Sequence, residues 1–186
     1  PTDEIADTYV YNPADPFMST MAFNSHYMPV DQKFNDHRAD NLVFQTSPLE
    51  EDLLVIGNLT CFLWASSDAV DTDFAVKLIE VGEDGLAINI SQGILRARYR
   101  NGYDREELLE PGKAYEFEIT MFPVGIRFKK GSRIRFDVAS SDFPAFDRNH
   151  NTGKDYWTDV ELRPARQTIF HDSNHPSRII LPVVRD

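Results

Sequence analysis

Residues 68–100 read DAVDTDFAVKLIEVGEDGLAINISQGILRARYR, and this stretch decides the fold class. Residues 74–81 are rich in β-branched and aromatic side chains, Gly82-Glu83-Asp84-Gly85 supplies a turn, and residues 86–91 form a second short apolar run. Two such runs joined by a short Gly-containing loop predict a β-hairpin. Beyond it, Leu95, Ala97 and Tyr99 alternate with Arg96, Arg98 and Arg100. A period of two predicts a further strand over 94–100, with an apolar row on one face and three guanidinium groups on the other. The stretch holds no cofactor loop and no nucleophile, so it reads as scaffold.

Outward from this hairpin the same pattern repeats. Residues 42–45, 53–56 and 59–66 read as strands, the second stopped by Gly57 and the third containing Trp64. Tyr115, Phe117, Ile119 and Met121 alternate with Glu116, Glu118 and Thr120, and Ile134, Phe136 and Val138 alternate with Arg133, Arg135 and Asp137. Residues 167–171 and 178–184 are the last runs. Short strands at this density, separated by Gly, Pro and Asp, predict an all-β antiparallel sandwich or barrel. Lys129, Lys130, Arg133 and Arg135 read as a solvated strand face. The pattern has no amphipathic helix longer than two turns and no internal repeat.

Residues 1–40 form an irregular lead-in to the sandwich predicted over 41–186 and belong to the same domain. Tyr9-Val10-Tyr11 fits a short strand, Asn12-Pro13-Ala14-Asp15-Pro16 is turn chemistry, and residues 31–40 have room for one helical turn. Between them, Phe17, Met18, Met21, Phe23, Tyr27 and Met28 follow neither a helical nor a strand period. An apolar loop of this kind is costly to leave in water. It either folds under the domain or covers another surface, and methionine suits adaptable contacts.

The chain has 186 residues, 41% of them apolar, which is enough for one domain with a proper core. A formal charge of −11 argues against nucleic acid and anionic membrane surfaces as partners. No window is long and apolar enough to span a bilayer, so the chain reads as soluble. The single cysteine, Cys61, allows no internal disulfide and sits in an apolar run, where a buried inert thiol is expected. That favours the cytoplasm without fixing the compartment. A start at Pro1 without a signal pattern suggests a piece of something longer.

Candidate chemistry is sparse. No serine lies in a Gly-x-Ser-x-Gly setting. His171-Asp172-Ser173 holds the three triad residue types, but chain neighbours point apart where a triad needs convergence. His171 and His175 are four apart, yet Asn174 and Pro176 break any helix that would bring them together. Asp147, Asn149 and Asn151 before Gly153 imitate the first half of a calcium loop. The glycine comes one position late, though, and Thr158 stands where the closing glutamate belongs, so side chains bonding backbone are the expectation. Asp68, Asp71 and Asp73 form a second acidic cluster of the same kind. No GxGxxG or Walker loop is present. The residues therefore assign no cofactor, no metal ligand and no catalytic group, and leave a structural calcium ion at the two acidic loops open as a further reading.

Several motifs together resemble a known family. Asp68-Ala-Val-Asp71-Thr-Asp-Phe74-Ala-Val-Lys77-Leu78, then Asp84-Gly85-x-Ala87-x-Asn89, then Gly93-Ile94-x-Arg96-Ala97-Arg98-Tyr99-Arg100 resemble the C-terminal non-catalytic domain of the X-Pro dipeptidyl-peptidase and cocaine-esterase hydrolases. The likeness continues in Tyr11-Asn12-Pro13-Ala14-Asp15-Pro16, Pro48-Leu49-Glu50-x-Asp52-Leu53, Arg148-Asn149-x-Asn151-Thr152-Gly153 and His175-Pro176-Ser177-Arg178. The resemblance implies a jelly-roll sandwich of the galactose-binding-like type. It also implies a partner: a catalytic α/β-hydrolase domain of the same polypeptide, carrying the whole Ser-Asp-His triad and absent from this chain. The β-domain of such an enzyme walls the substrate cleft and takes part in oligomer contacts. One departure is Ser19-Thr20-Met21-Ala22, where the family shows a Gly pair.

On this reading Phe17, Met18, Met21, Phe23 and Tyr27 are the domain-interface or cleft-wall residues, and the chain alone is inert. The alternative is a free-standing carbohydrate-binding module using exposed aromatics. Tyr156 and Trp157, in a polar loop, would be its best pair and Tyr103 a third candidate, whereas Trp64 is expected in the core.

Overall fold

The computed structural model describes residues 4–19 and 30–185. Within these residues ten strands form two antiparallel sheets: β1 (Asp7–Tyr11), β2 (Asn41–Gln45), β3 (Leu53–Ser67), β4 (Asp73–Val81), β5 (Ala87–Arg96), β6 (Tyr115–Phe128), β7 (Arg133–Ala139), β8 (Ala165–Phe170), β9 (Arg178–Ile180) and β10 (Val183–Val184). In the first sheet the long β3 pairs with β6 along one side and with β8, β9 and β10 along the other; β1 lies outside β8. The second sheet runs β2-β7-β4-β5. Among the described residues two short 3-10 turns, Gln32–Asn35 and Ala97–Tyr99, accompany the strands. No helix among the described residues is long and apolar enough to cross a membrane.

The core lies between the sheets and follows the period-two pattern. Leu59, Cys61, Leu63 and Ala65 of β3 and Phe117, Ile119 and Met121 of β6 face Phe74, Val76 and Leu78 of β4 and Val138 of β7. The Phe74 and Phe117 rings meet with centroids 4.7 Å apart. Each large side chain so buried contributes roughly 1.5–3 kcal/mol.

Gly57 does not stop a strand. Residues 53–56 and 59–66 belong to one strand with a bulge between Gly57 and Leu59, and Gly57 takes φ +136° there, a conformation suited to glycine. Gly93 has a different task. A Cβ on it would stand 2.5 Å from the Thr120 carbonyl oxygen, so its bare backbone lets β5 lie against β6. The Ser91 hydroxyl fastens that edge by donating to the Phe122 carbonyl at 2.7 Å.

Three further expectations need correction. The strand predicted to reach Arg100 ends at Arg96, and the chain then turns through Ala97–Tyr99. The Thr72 carbonyl takes the Ala97 N–H and Asp71 takes the Arg98 N–H, which pulls the backbone off the sheet. Arg135 is buried rather than solvated, because residues 30–40 lie over the outer face of the second sheet; it donates to Asp137 at 2.7 and 2.9 Å and to Asp36 at 2.6 Å. Trp64 is half-buried on the outer face of β3, since Cys61, Leu63 and Ala65 take the core side; it packs edge-on against His175 at 5.0 Å.

Candidate functional site

Two regions carry the groups singled out from the sequence. At one end of the sandwich, Asp71 and Asp73 leave the strands beside Arg96 and Arg98. Arg96 makes a two-pronged bond to Asp73 at 2.9 and 3.0 Å, and Arg98 donates from Nε to Asp71 at 2.8 Å. The Asn149 amide bridges the two carboxylates at 2.9 and 2.8 Å. Burial works against the Arg96 guanidinium, but its bonds to Asp73 outweigh that and hold its pKa above the usual range. Burial likewise pushes the Asp73 carboxyl up against the pull of Arg96. The three guanidinium groups read as one face of a strand therefore serve separate ends, with Arg100 donating to the Ala97 and Glu107 carbonyls.

The acidic clusters are thus spent on guanidinium and amide donors. The loop that imitates a calcium site is held by its own side chains: Asn149 Oδ1 accepts from the Asn151 N–H at 2.8 Å, and the Asn151 amide donates to the Arg163 carbonyl at 2.7 Å. Asn151 adopts φ 65°, a conformation Asn tolerates better than most residues. Among the described residues no group of three or more His, Cys, Asp or Glu is arranged to hold a metal ion.

Arg98 also reaches Glu106 at 3.2 Å and the Lys154 carbonyl at 3.3 Å, so it ties the loop before β6 to the loop before β8. From these loops project Tyr103 (81% exposed), Trp157 (89%) and Val160 (92%). Tyr156 lies beneath Arg96, 5.3 Å from ring centroid to guanidinium, and its ring meets Trp157 at 74°. The two rings are therefore not coplanar.

The second region is the outer face of the β2-β7-β4-β5 sheet. Phe17 is 2% exposed there, with Lys77 Nζ 5.5 Å from its ring centroid. Lys77 is itself buried and pairs with Asp142 at 2.8 Å and Gln32 at 3.3 Å. Met18, half-buried, bridges to Phe143, and the Ser19 N–H donates to the Phe143 carbonyl at 2.7 Å. On the return side the Val30 N–H donates to Asn89 Oδ1 at 2.8 Å and Asp31 bridges to Ile88. Met21, Phe23 and Tyr27 lie outside the described residues.

The remaining sequence candidates are dispersed. His171 sits between Asp7 (3.1 Å) and Glu4 (3.3 Å), while His175 pairs with Asp172 at 3.1 Å. No nucleophile–base pair is built from them. Cys61 is buried, and burial pushes its thiol up to about 12.

Residues 2–180 match the family model of the X-Pro dipeptidyl-peptidase C-terminal non-catalytic domain. The chain is 41% identical over 188 residues to the cocaine esterase of Rhodococcus sp. (strain MB1 Bresler), covering 98% of this chain and 33% of that protein. Among solved structures it is similar to an aminopeptidase from the marine sediment archaeon Thaumarchaeota archaeon, with a TM-score of 0.92 and 30% identity over 100% of this chain and 34% of that one. It is also similar to an α-amino acid ester hydrolase, with a TM-score of 0.89 and 30% identity over 96% of this chain and 32% of that one. The chain spans about a third of the length of each of these relatives.

Proposed function

Since this chain belongs to the X-Pro dipeptidyl-peptidase C-terminal non-catalytic domain family, we propose that it is the accessory domain of a serine hydrolase of the acyl-esterase or X-Pro dipeptidyl-peptidase type. It packs on a catalytic α/β-hydrolase domain of the same polypeptide and is inert alone. The observation that carries this is the ratio of lengths. This chain accounts for about a third of relatives whose names describe hydrolases, and its buried carboxylates Asp71 and Asp73 are spent on structural pairs with Arg98 and Arg96.

In this reading the segment from Met18 to Tyr27 walls the cleft. Its two feet, at Ser19 and Val30, are pinned over the second sheet by hydrogen bonds to Phe143 and Asn89. Met18, Met21, Phe23 and Tyr27 are the contact residues, and Phe17 anchors the segment from inside the domain. Oligomer contacts and a cytoplasmic location belong to the same reading, the latter in keeping with one buried, unpaired thiol.

The test is kinetic. In the full-length hydrolase, Met21→Ser and Phe23→Ser should each raise KM about tenfold, the equivalent of about 1.4 kcal/mol of lost contact, with the melting temperature unchanged. Unaltered KM and kcat in both variants would remove the cleft-wall role.

A further inference from the structure

The two edges of the sandwich differ in packing. At the β5–β6 edge Gly93 brings the two sheets into contact. At the opposite edge, between β2–β7 and β8–β9, a cavity of about 250 Å³ is lined by Phe44, Cys61, Leu63, Phe136, Val138 and Ile179. Protein interiors are close-packed and hold few voids larger than a water molecule. An apolar cavity of about 150 Å³ is already enough to admit benzene.

Water is a poor occupant of this one. His171, Ser177 and Arg178 bring polar groups to its rim, and each already has a partner. The Ser177 hydroxyl donates to the Phe170 carbonyl at 2.5 Å and accepts from the Trp64 N–H at 2.8 Å. His171 is held by Asp7 and Glu4. Arg178 pairs with Glu116 at 3.0 Å and lies over the Phe62 ring. A buried water needs two to four polar partners, and these largely apolar walls offer few. The way in is visible: a surface depression bounded by Glu4, Asp7, Val43 and Pro176 shares Phe44, His171, Ser177 and Arg178 with the cavity. Two carboxylates stand at that mouth, and its one guanidinium is already neutralised, so an anion would be repelled.

We infer that this inter-sheet cavity is a binding site for a compact, uncharged apolar molecule of one aromatic ring to a small fused pair, entering past Phe44 and His171. The inference goes beyond the accessory role, because the site is complete within this chain. Its test therefore fails or succeeds independently of any hydrolase partner.

Indole and toluene are titrated into the 186-residue chain, with benzoate as the anionic control. Binding is read by melting temperature and by the methyl resonances of Leu63, Val138 and Ile179. At ten times Kd, indole should raise Tm by about 3–6 °C and shift those three residues' methyls, while benzoate at the same concentration does neither. Val138→Phe, which fills the cavity, should abolish the indole shift. Should that variant fail to fold, Cys61→Met provides the milder filling, and the methyl shifts of the unaltered chain decide in either case. No methyl shift with indole or toluene, equal binding of benzoate, or binding undiminished by a folded filling variant would overturn the assignment.

Discussion

Replacing Asp71 by Ala removes the carboxylate on which two loops depend. Asp71 is 0% exposed and accepts three hydrogen bonds: from the Arg98 N–H at 3.0 Å, from Arg98 Nε at 2.8 Å and from the Asn149 amide at 2.9 Å. Without it, the buried Arg98 guanidinium keeps only the partly exposed Glu106 and the Lys154 carbonyl. Taking one partner from a buried ion pair costs about 3–5 kcal/mol, because the other charge stays desolvated. In a chain of this size each kcal/mol shifts Tm by about 2–4 °C, so a loss of about 6–20 °C is expected. Arg98→Met should cost a similar amount by leaving Asp71 uncompensated. The double variant Asp71→Leu with Arg98→Met leaves no lone charge and should lose clearly less than the two single losses added together. Urea unfolding followed by tryptophan emission measures all three. A single-variant loss under 1 kcal/mol, or a double loss equal to the sum, would refute the reasoning.

Two further outcomes follow from named groups. Burial pushes the hydroxyls of Tyr9 and Tyr11 and the thiol of Cys61 above their ordinary values. The folded chain holds these protons where the unfolded chain has released them. Stability is therefore full below the unfolded values, about 8.5 for Cys and about 10 for Tyr, and falls as pH rises above them. Each group adds a slope of up to about 1.4 kcal/mol per pH unit. Tyr9→Phe and Tyr11→Phe should each flatten the alkaline limb of the stability curve by one such share, and unchanged limbs would contradict the burial argument. Gly93→Ala should cost about 1–3 kcal/mol, since its Cβ meets a backbone oxygen that cannot swing away, while Gly125→Ala, with nothing within 4 Å of its Cβ, serves as the near-neutral control. Equal melting temperatures for the two would show that the β5–β6 closure does not depend on Gly93.

Much of the fold was legible from period two alone. Phe117, Ile119 and Met121 alternate with exposed Glu116, Glu118 and Thr120 because β6 has one wet face and one dry face. The hairpin around Gly82 and Gly85 announces itself through turn chemistry, and the Gly85 position has the positive φ that such a turn favours. The rest depends on contacts far apart in the chain. Arg96, Arg98 and Arg100 alternate like a strand face, and what ends the strand is Asp71, 27 positions away from the Arg98 it binds. Arg135 looked solvated because its cover, Asp36 and the turn around it, lies 99 positions earlier and has no period of its own. Trp64 sits in an apolar run, but the register of β3 turns it outward. The inter-sheet cavity has no local signature at all, since its lining residues come from strands far apart in the chain.

The central claim is that this chain lends surface rather than chemistry to a hydrolase. A serine-directed fluorophosphonate probe applied to the full-length parent enzyme, followed by digestion and mapping of the adduct, tests it most directly. The account predicts one labelled serine, located outside these 186 residues, and no adduct by intact mass on this chain alone. A stoichiometric adduct on any serine within the chain would contradict it.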